Sequence, residues 1–185
     1  MLDQLMQPID YLRIRHPKKW VVDWLSPTLI TGMFCFLMYL IEPINRFGQS
    51  GVIQSFTQFI QTLPGFYIAS LAVVVTLNRP GMDELILSPT PYISEKLRGK
   101  ENEIPLTRRR FLAMLFAFLT VESLISVFMG ILGPLIAGPV AKLTTSNLQI
   151  LLGEVFMACF FFLVFQMTIC TLWGLHYLGT RAHQP

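Results

Sequence analysis

Charge is scarce in this chain. Only 14% of its 185 residues are Asp, Glu, Lys or Arg, against about 25% in a soluble domain. A shortage of that size excludes an ordinary water-facing surface and points to lipid as the solvent. Histidine is scarcer still. His16, His176 and His183 form no pair at i, i+3 or i+4, so no helical metal site is expected. The three cysteines, Cys35, Cys159 and Cys170, have neither paired nor metal-ligand spacing and read as small buried hydrophobes. There is no Gly-rich phosphate loop, no Ser nucleophile elbow and no His-Glu-x-x-His. The expectation is therefore a protein that is not an enzyme and needs no cofactor or metal. No internal repeat suggests the two halves of a transporter. Asp3 and Asp10 precede any apolar core, which argues against a cleavable signal peptide, and Leu2 argues against N-myristoylation.

What the chain has instead is long hydrophobic runs. Apolar residues make up 53% of it, and the mean hydropathy is +0.55. A hydrocarbon core of about 30 Å needs roughly 20 apolar residues in a helix. Four stretches qualify, at about 24–44, 54–78, 111–132 and 148–177. The second lies in a window from Arg46 to Arg79 without a charge. Its strongly apolar part, Phe66 to Leu77, is too short to span, so the helix is extended back through Gly65 and Pro64. In the third, Thr107 is the expected N-cap and Gly133-Pro134 the expected stop. The predicted fold is an all-α integral membrane bundle of four transmembrane helices, preceded by an N-terminal amphipathic interfacial helix.

Lys and Arg set the orientation. Four lie before the first span, seven in the loop at 79–110 and one after the last. That places 12 of 14 on one side, with only Arg46 and Lys142 opposite. Both termini and the long loop are expected in the cytoplasm. Trp20, Trp24 and Trp173 fall near the predicted cytoplasmic ends, as interfacial anchors do.

Residues 1–19 form the predicted amphipathic segment, with Leu2, Leu5, Met6, Ile9 and Leu12 on one helical face. It lies on the inner membrane surface or against a partner. The cytoplasmic loop carries Pro80-Gly81, Pro89, Pro91 and Pro105 and a mixed-charge run. Some 30 residues are too few for an independent core, so a catalytic domain is not expected. The loop reads as a solvated connector or as a docking surface for a cytoplasmic protein, through Lys96, Arg98, Lys100, Arg108, Arg109 and Arg110. The arginine triplet also suits anionic headgroups. So small a basic cluster gives no basis for direct nucleic-acid binding.

Glu122 and Glu154 lie inside predicted spans, where a carboxylate is costly and marks function by default. Gln54, Gln58 and Gln61 fall at i, i+4 and i+7 and form one polar stripe. All five are expected in the outer half of the membrane. Two readings follow. They line a polar cavity, or a pore in an oligomer. Alternatively, each glutamate is protonated or hydrogen-bonded between packed helices, and the glutamines lie among outer headgroups.

The basic Arg-Ile-Arg-His-Pro-Lys-Lys-Trp at 13–20, the Leu-Thr-Arg-Arg-Arg-Phe at 106–111, the four spans and the missing catalytic motifs together resemble the small membrane subunit (KwaA) of the Kiwa antiphage defence system. The resemblance covers the whole chain at the level of size and topology. It implies a homo-oligomer, a tetramer, in the bacterial inner membrane. Such an oligomer senses phage attachment or membrane disturbance and holds a DNA-binding cytoplasmic partner, KwaB. The loop and the N-terminal helix are then the docking surface. The competing expectation is an oligomeric ion channel or membrane-perturbing pore that uses the intramembrane glutamates.

Overall fold

A computed structural model describes residues 7–41, 45–48, 50–76, 81–86, 89–97 and 100–181, and for 7, 95–97, 100, 101 and 177–181 it describes the backbone alone. Among the described residues, four stretches are helical and apolar enough to cross a membrane: Val21–Leu40, Val52–Thr76, Arg108–Leu143 and Ser146–His176. The all-α membrane bundle expected from hydropathy is thus the observed fold.

The first span opens with a π-helical turn, Val21–Leu25, closed by the Ser26 amide donating to the Val21 carbonyl. The extra residue in this wide turn accompanies the inward placement of Asp23, its one buried residue. Helix α1, Ser26–Leu40, follows with Pro27 in its first turn, where a missing amide leaves no bond unmade. The second span is two helices, α2 (Val52–Ile60) and α3 (Leu63–Thr76). They part at Gln61 and Thr62, just before Pro64. Ile53, Thr57 and Ile60 form the buried face of α2.

Helix α4 runs from Arg108 to Leu143. Thr107 caps it, its side-chain oxygen accepting from the Arg110 amide at 3.3 Å. The expected stop at Gly133-Pro134 is corrected: the helix passes through both Pro134 and Pro139. Membrane helices tolerate proline where neighbouring groups satisfy the backbone. The glycines serve close packing here. A Cβ on Gly130 would overlap the Thr57 side chain, and one on Gly133 would overlap the Phe156 ring. At about 1.5 Å per residue, α4 is longer than the membrane is thick. Helix α5, Ser146–Arg181, is of equal length.

Helix α4 packs against α3, α5 and α2, and α1 packs on α5. Phe161 joins three spans, with ring centroids 4.5 Å from Phe34 and 5.0 Å from Phe56. Phe111, Leu112, Leu115 and Leu119 of α4 meet Met157, Phe160 and Met167 of α5 in one continuous core. The outer surfaces of the spans expose large apolar side chains such as Leu29, Phe36 and Phe66. That pattern suits contact with lipid.

The long loop is more than a connector. Strands β1 (Tyr92–Leu97) and β2 (Lys100–Pro105) form an antiparallel hairpin, with Leu97 opposite Lys100 across its turn. Residues 82–86 run beside 106–109, through Arg109 N to Met82 O at 2.8 Å and Ile86 N to Leu106 O at 3.3 Å. Ile86, Ile93 and Leu106 are buried and continuous with the bundle core. The hairpin therefore needs no core of its own, a possibility that reading the loop in isolation missed.

The N-terminal segment is helical at the start of its described part. Gln7–Arg13 is a 3-10 helix packed on α4. It is anchored by Tyr11, which is fully buried, and followed by buried Ile14. Ile9 and Leu12, the apolar face expected from spacing, remain exposed. Leu2, Leu5 and Met6 lie outside the described residues, as does the end of the first span at 42–44. Arg15 and Tyr92 exchange both backbone hydrogen bonds, at 2.9 and 3.2 Å. The N-terminal segment and the hairpin thus share one side of the bundle, called the hairpin side below.

Candidate functional site: a buried ionic cluster

Asp23, turned inward by the π-helical turn, is the centre of the cluster. The Lys19 ammonium pairs with its Oδ2. The two side chains are 5% and 1% exposed, so this is a desolvated ion pair. The Tyr11 hydroxyl donates to Asp23 Oδ1 at 3.1 Å. The Cys170 thiol lies 3.7 Å from the same oxygen. Gln166 Nε2 donates to the Asp23 backbone carbonyl at 2.8 Å. Lys19 Nζ also sits 4.1 Å from the centroid of the Tyr11 ring, a cation–π contact. Burial, with Cys170 and Asp23 close by, pushes the Tyr11 hydroxyl well above its ordinary range. It stays protonated at neutral pH and remains a donor.

The cluster ties three parts of the chain together. Tyr11 brings the N-terminal segment, Lys19 and Asp23 the start of the first span, Gln166 and Cys170 the last. Tyr11 also stacks on Phe118 of α4, with centroids 4.9 Å apart. One turn beyond Phe118 is Glu122, only 3% exposed. Neither of its carboxylate oxygens has a hydrogen-bond partner. The charged group that acts on it is Asp23.

The polar set expected from sequence is not one cluster. Glu154 is half-exposed and pairs with Arg46 at the short-loop side. Gln54, Gln58 and Gln61 are all exposed, each next in sequence to one of the buried residues Ile53, Thr57 and Ile60, so the stripe flanks the buried face about a quarter turn away. The Gln54 side chain accepts from the Ser50 amide at 2.7 Å. Only Glu122 faces the interior, and its electrostatic neighbours are Asp23, Tyr67 and Cys170.

The basic docking residues also divide. Arg109 holds Asp83 with two bonds, 2.7 and 3.0 Å, and donates to the Val74 and Val75 carbonyls at 3.1 and 3.2 Å. Arg108 pairs with Glu84 at 3.7 Å. These two arginines therefore fasten the base of the loop. The Arg110 amide is held by the N-cap. Lys96 and Lys100 lie on the hairpin strands, their side chains outside the described residues, as is Arg98 altogether. The reading of the cysteines as uniformly buried is corrected too. Cys170 is buried, Cys35 half-buried and Cys159 exposed.

Sequence reasoning passed over Tyr11, Lys19, Asp23 and Gln166. The i, i+4 spacing of Lys19 and Asp23 was the available signal. In the sequence, Lys19 reads only as part of the basic segment at 13–20. Gln166, a polar residue inside the last span, was a second. Among the described residues no group of His, Cys, Asp and Glu is arranged to hold a metal ion.

The fold and the cluster define a multi-pass helical membrane protein with a desolvated ionic centre joining its N-terminal segment to the spans. Comparison of the chain with protein families, with curated proteins and with solved structures finds no match.

Proposed function

We propose that the chain is a non-catalytic membrane sensor and scaffold that oligomerises and holds a cytoplasmic effector protein at the bacterial inner membrane. The observation that carries this is one unbroken linkage. The ionic cluster inside the bundle holds Tyr11 and Lys19, and Arg15 of the same segment is bonded to the hairpin at Tyr92. A disturbance of the spans thus has a rigid route to a folded platform outside them. The bias of Lys and Arg puts that platform in the cytoplasm. Antiphage defence is the setting that the Kiwa resemblance adds to this reading. The effector is a protein rather than nucleic acid, because the arginines at the loop base are already engaged.

Purification in mild detergent from native cells, with mass photometry and identification of bound proteins, tests this. A homo-oligomer carrying a stoichiometric cytoplasmic protein is expected. Charge reversal at Lys96, Arg98 and Lys100 is expected to weaken that association about tenfold or more. A chain that brings down no protein, and that charge reversal leaves unaffected, overturns the reading.

The outward Gln54, Gln58 and Gln61 stripe favours a second reading for the assembly: copies meet along this face, and the seam is polar enough to conduct. In that case Glu154→Gln, which breaks the pair with Arg46, alters conductance in bilayer recordings while leaving protein recruitment intact. Silent bilayers remove this second reading alone.

A further inference from the structure

Every donor of the cluster is aimed at Asp23. Lys19, Tyr11 and Cys170 address its carboxylate, and Gln166 its backbone carbonyl. None is left for Glu122, whose two oxygens are buried and unpartnered. Two carboxyl groups thus share a dry interior with one ammonium. With Glu122 ionised, the centre holds one negative charge in excess, without water or donor. Such a charge costs several kcal/mol or more, and the usual escape is to take up a proton. With Glu122 as the neutral acid, the centre is electrically balanced.

We propose that Glu122 is an intramembrane proton-binding site, and that its proton keeps the N-terminal segment seated in the bundle. Loss of the proton breaks the Glu122 O–H bond and passes the proton to bulk water. The electron pair left behind makes a second anion beside Asp23. The one ammonium, Lys19, is already bonded to Asp23, and Tyr11 is shared between Asp23 and Cys170, so neither is spare for the second anion. Water enters to solvate the excess charge, and the N-terminal segment carrying Tyr11 leaves its seat. Binding and seating are linked in both directions: whatever unseats the segment also releases the proton.

The groups that bear on Glu122 come from each neighbouring element. Helix α3 brings Tyr67, α5 brings Cys170 and the first span brings Asp23, while Tyr11 of the N-terminal segment and Lys19 are tied to it through Asp23. Helix α2 has no titratable residue. Lys19 is the cation of the cluster, and its Nζ already bonds Asp23. This inference does not depend on an effector protein, since the test below uses the chain alone.

The full-length chain in lipid nanodiscs is examined by infrared difference spectroscopy between about pH 5 and about pH 9. Wild type is expected to show a protonated carboxyl band at neutral pH that shifts in heavy water. The band is expected to vanish in Glu122→Gln and to persist in Glu154→Gln, whose carboxylate is ion-paired elsewhere. Hydrogen exchange over Gln7–Arg13, corrected for its intrinsic pH dependence, reads the seating. Protection is expected to fall about tenfold on alkaline titration of wild type and to stay constant in Glu122→Gln. A wild-type chain without the band overturns the site, whether or not the glutamine variant folds. An equal loss of protection in wild type and variant overturns the coupling.

Discussion

Asp23 and Lys19 are worth most to the fold as a pair. Removing one leaves the other as an uncompensated charge in a dry interior, at a cost of about 3–5 kcal/mol. Asp23→Ala or Lys19→Ala is therefore expected to destabilise the chain by about that amount in detergent unfolding titrations. The double change Lys19→Met with Asp23→Leu is expected to recover most of the loss, because the Coulombic gain of a buried pair roughly offsets its desolvation. If the double variant is as unstable as the singles, the cluster's role is packing rather than charge. At this scale the sequence was partly legible. Glu122 stood out, because a carboxylate in an apolar run is costly wherever its neighbours lie. The groups around it did not, because they come from segments far apart in the chain, and only tertiary packing brings Tyr11 and Cys170 to Asp23.

Helix ends and helix contacts were legible to different degrees. Hydropathy located all four spans, since crossing lipid demands length and apolarity and little else. The continuation of α4 beyond Pro134 was not legible, because Gly-Pro is a stop only where water competes for the backbone. Gly130 shows what the glycine is for. Gly130→Ala is expected to destabilise by about 1–3 kcal/mol through overlap with Thr57. Adding Thr57→Ala is expected to restore much of it, as read by thermal melts in detergent. The hairpin was illegible for another reason: its buried Ile93, with Leu106 just after β2, finds its core in another part of the chain. Its attachment carries a pH signature. Arg109 holds the Asp83 carboxyl below the usual carboxylate range. That contact is fully present above about pH 4 and is lost as pH falls through the depressed value. Exchange of the amides at 106–109 is expected to rise on acidification below about pH 4. Asp83→Asn is expected to remove that step. The effect is modest, because Asp83 is exposed.

Among the described residues, the spans carry an apolar outer coat that a stripe of amides interrupts. Gln54, Gln58 and Gln61 lie on the outward face of the second span, and amide side chains there seek water or another polar face. If copies of the chain assemble along this face, as proposed above, changing all three to Leu is expected to shift the assembly to smaller species in native mass spectrometry, with helix content unchanged. An unaltered oligomer would assign the seam to another face. The polar stripe itself was legible from its period. Which way it points was not, since a helical period fixes neighbours on a face and leaves open whether that face looks in or out.

Arg109 has one more consequence. It lies in the first turn of α4 and at the same time clasps Asp83 and the Val74 and Val75 carbonyls of the second span. The two spans are thereby pinned at the exact point where the chain leaves and re-enters the bundle, and everything between is hung from that clasp. A foreign domain spliced between Leu97 and Lys100, at the far end of the hairpin, pulls on a closed ring rather than on two free ends. That makes the hairpin tip the natural place for a fluorescent reporter, and evolution has the same freedom to lengthen it.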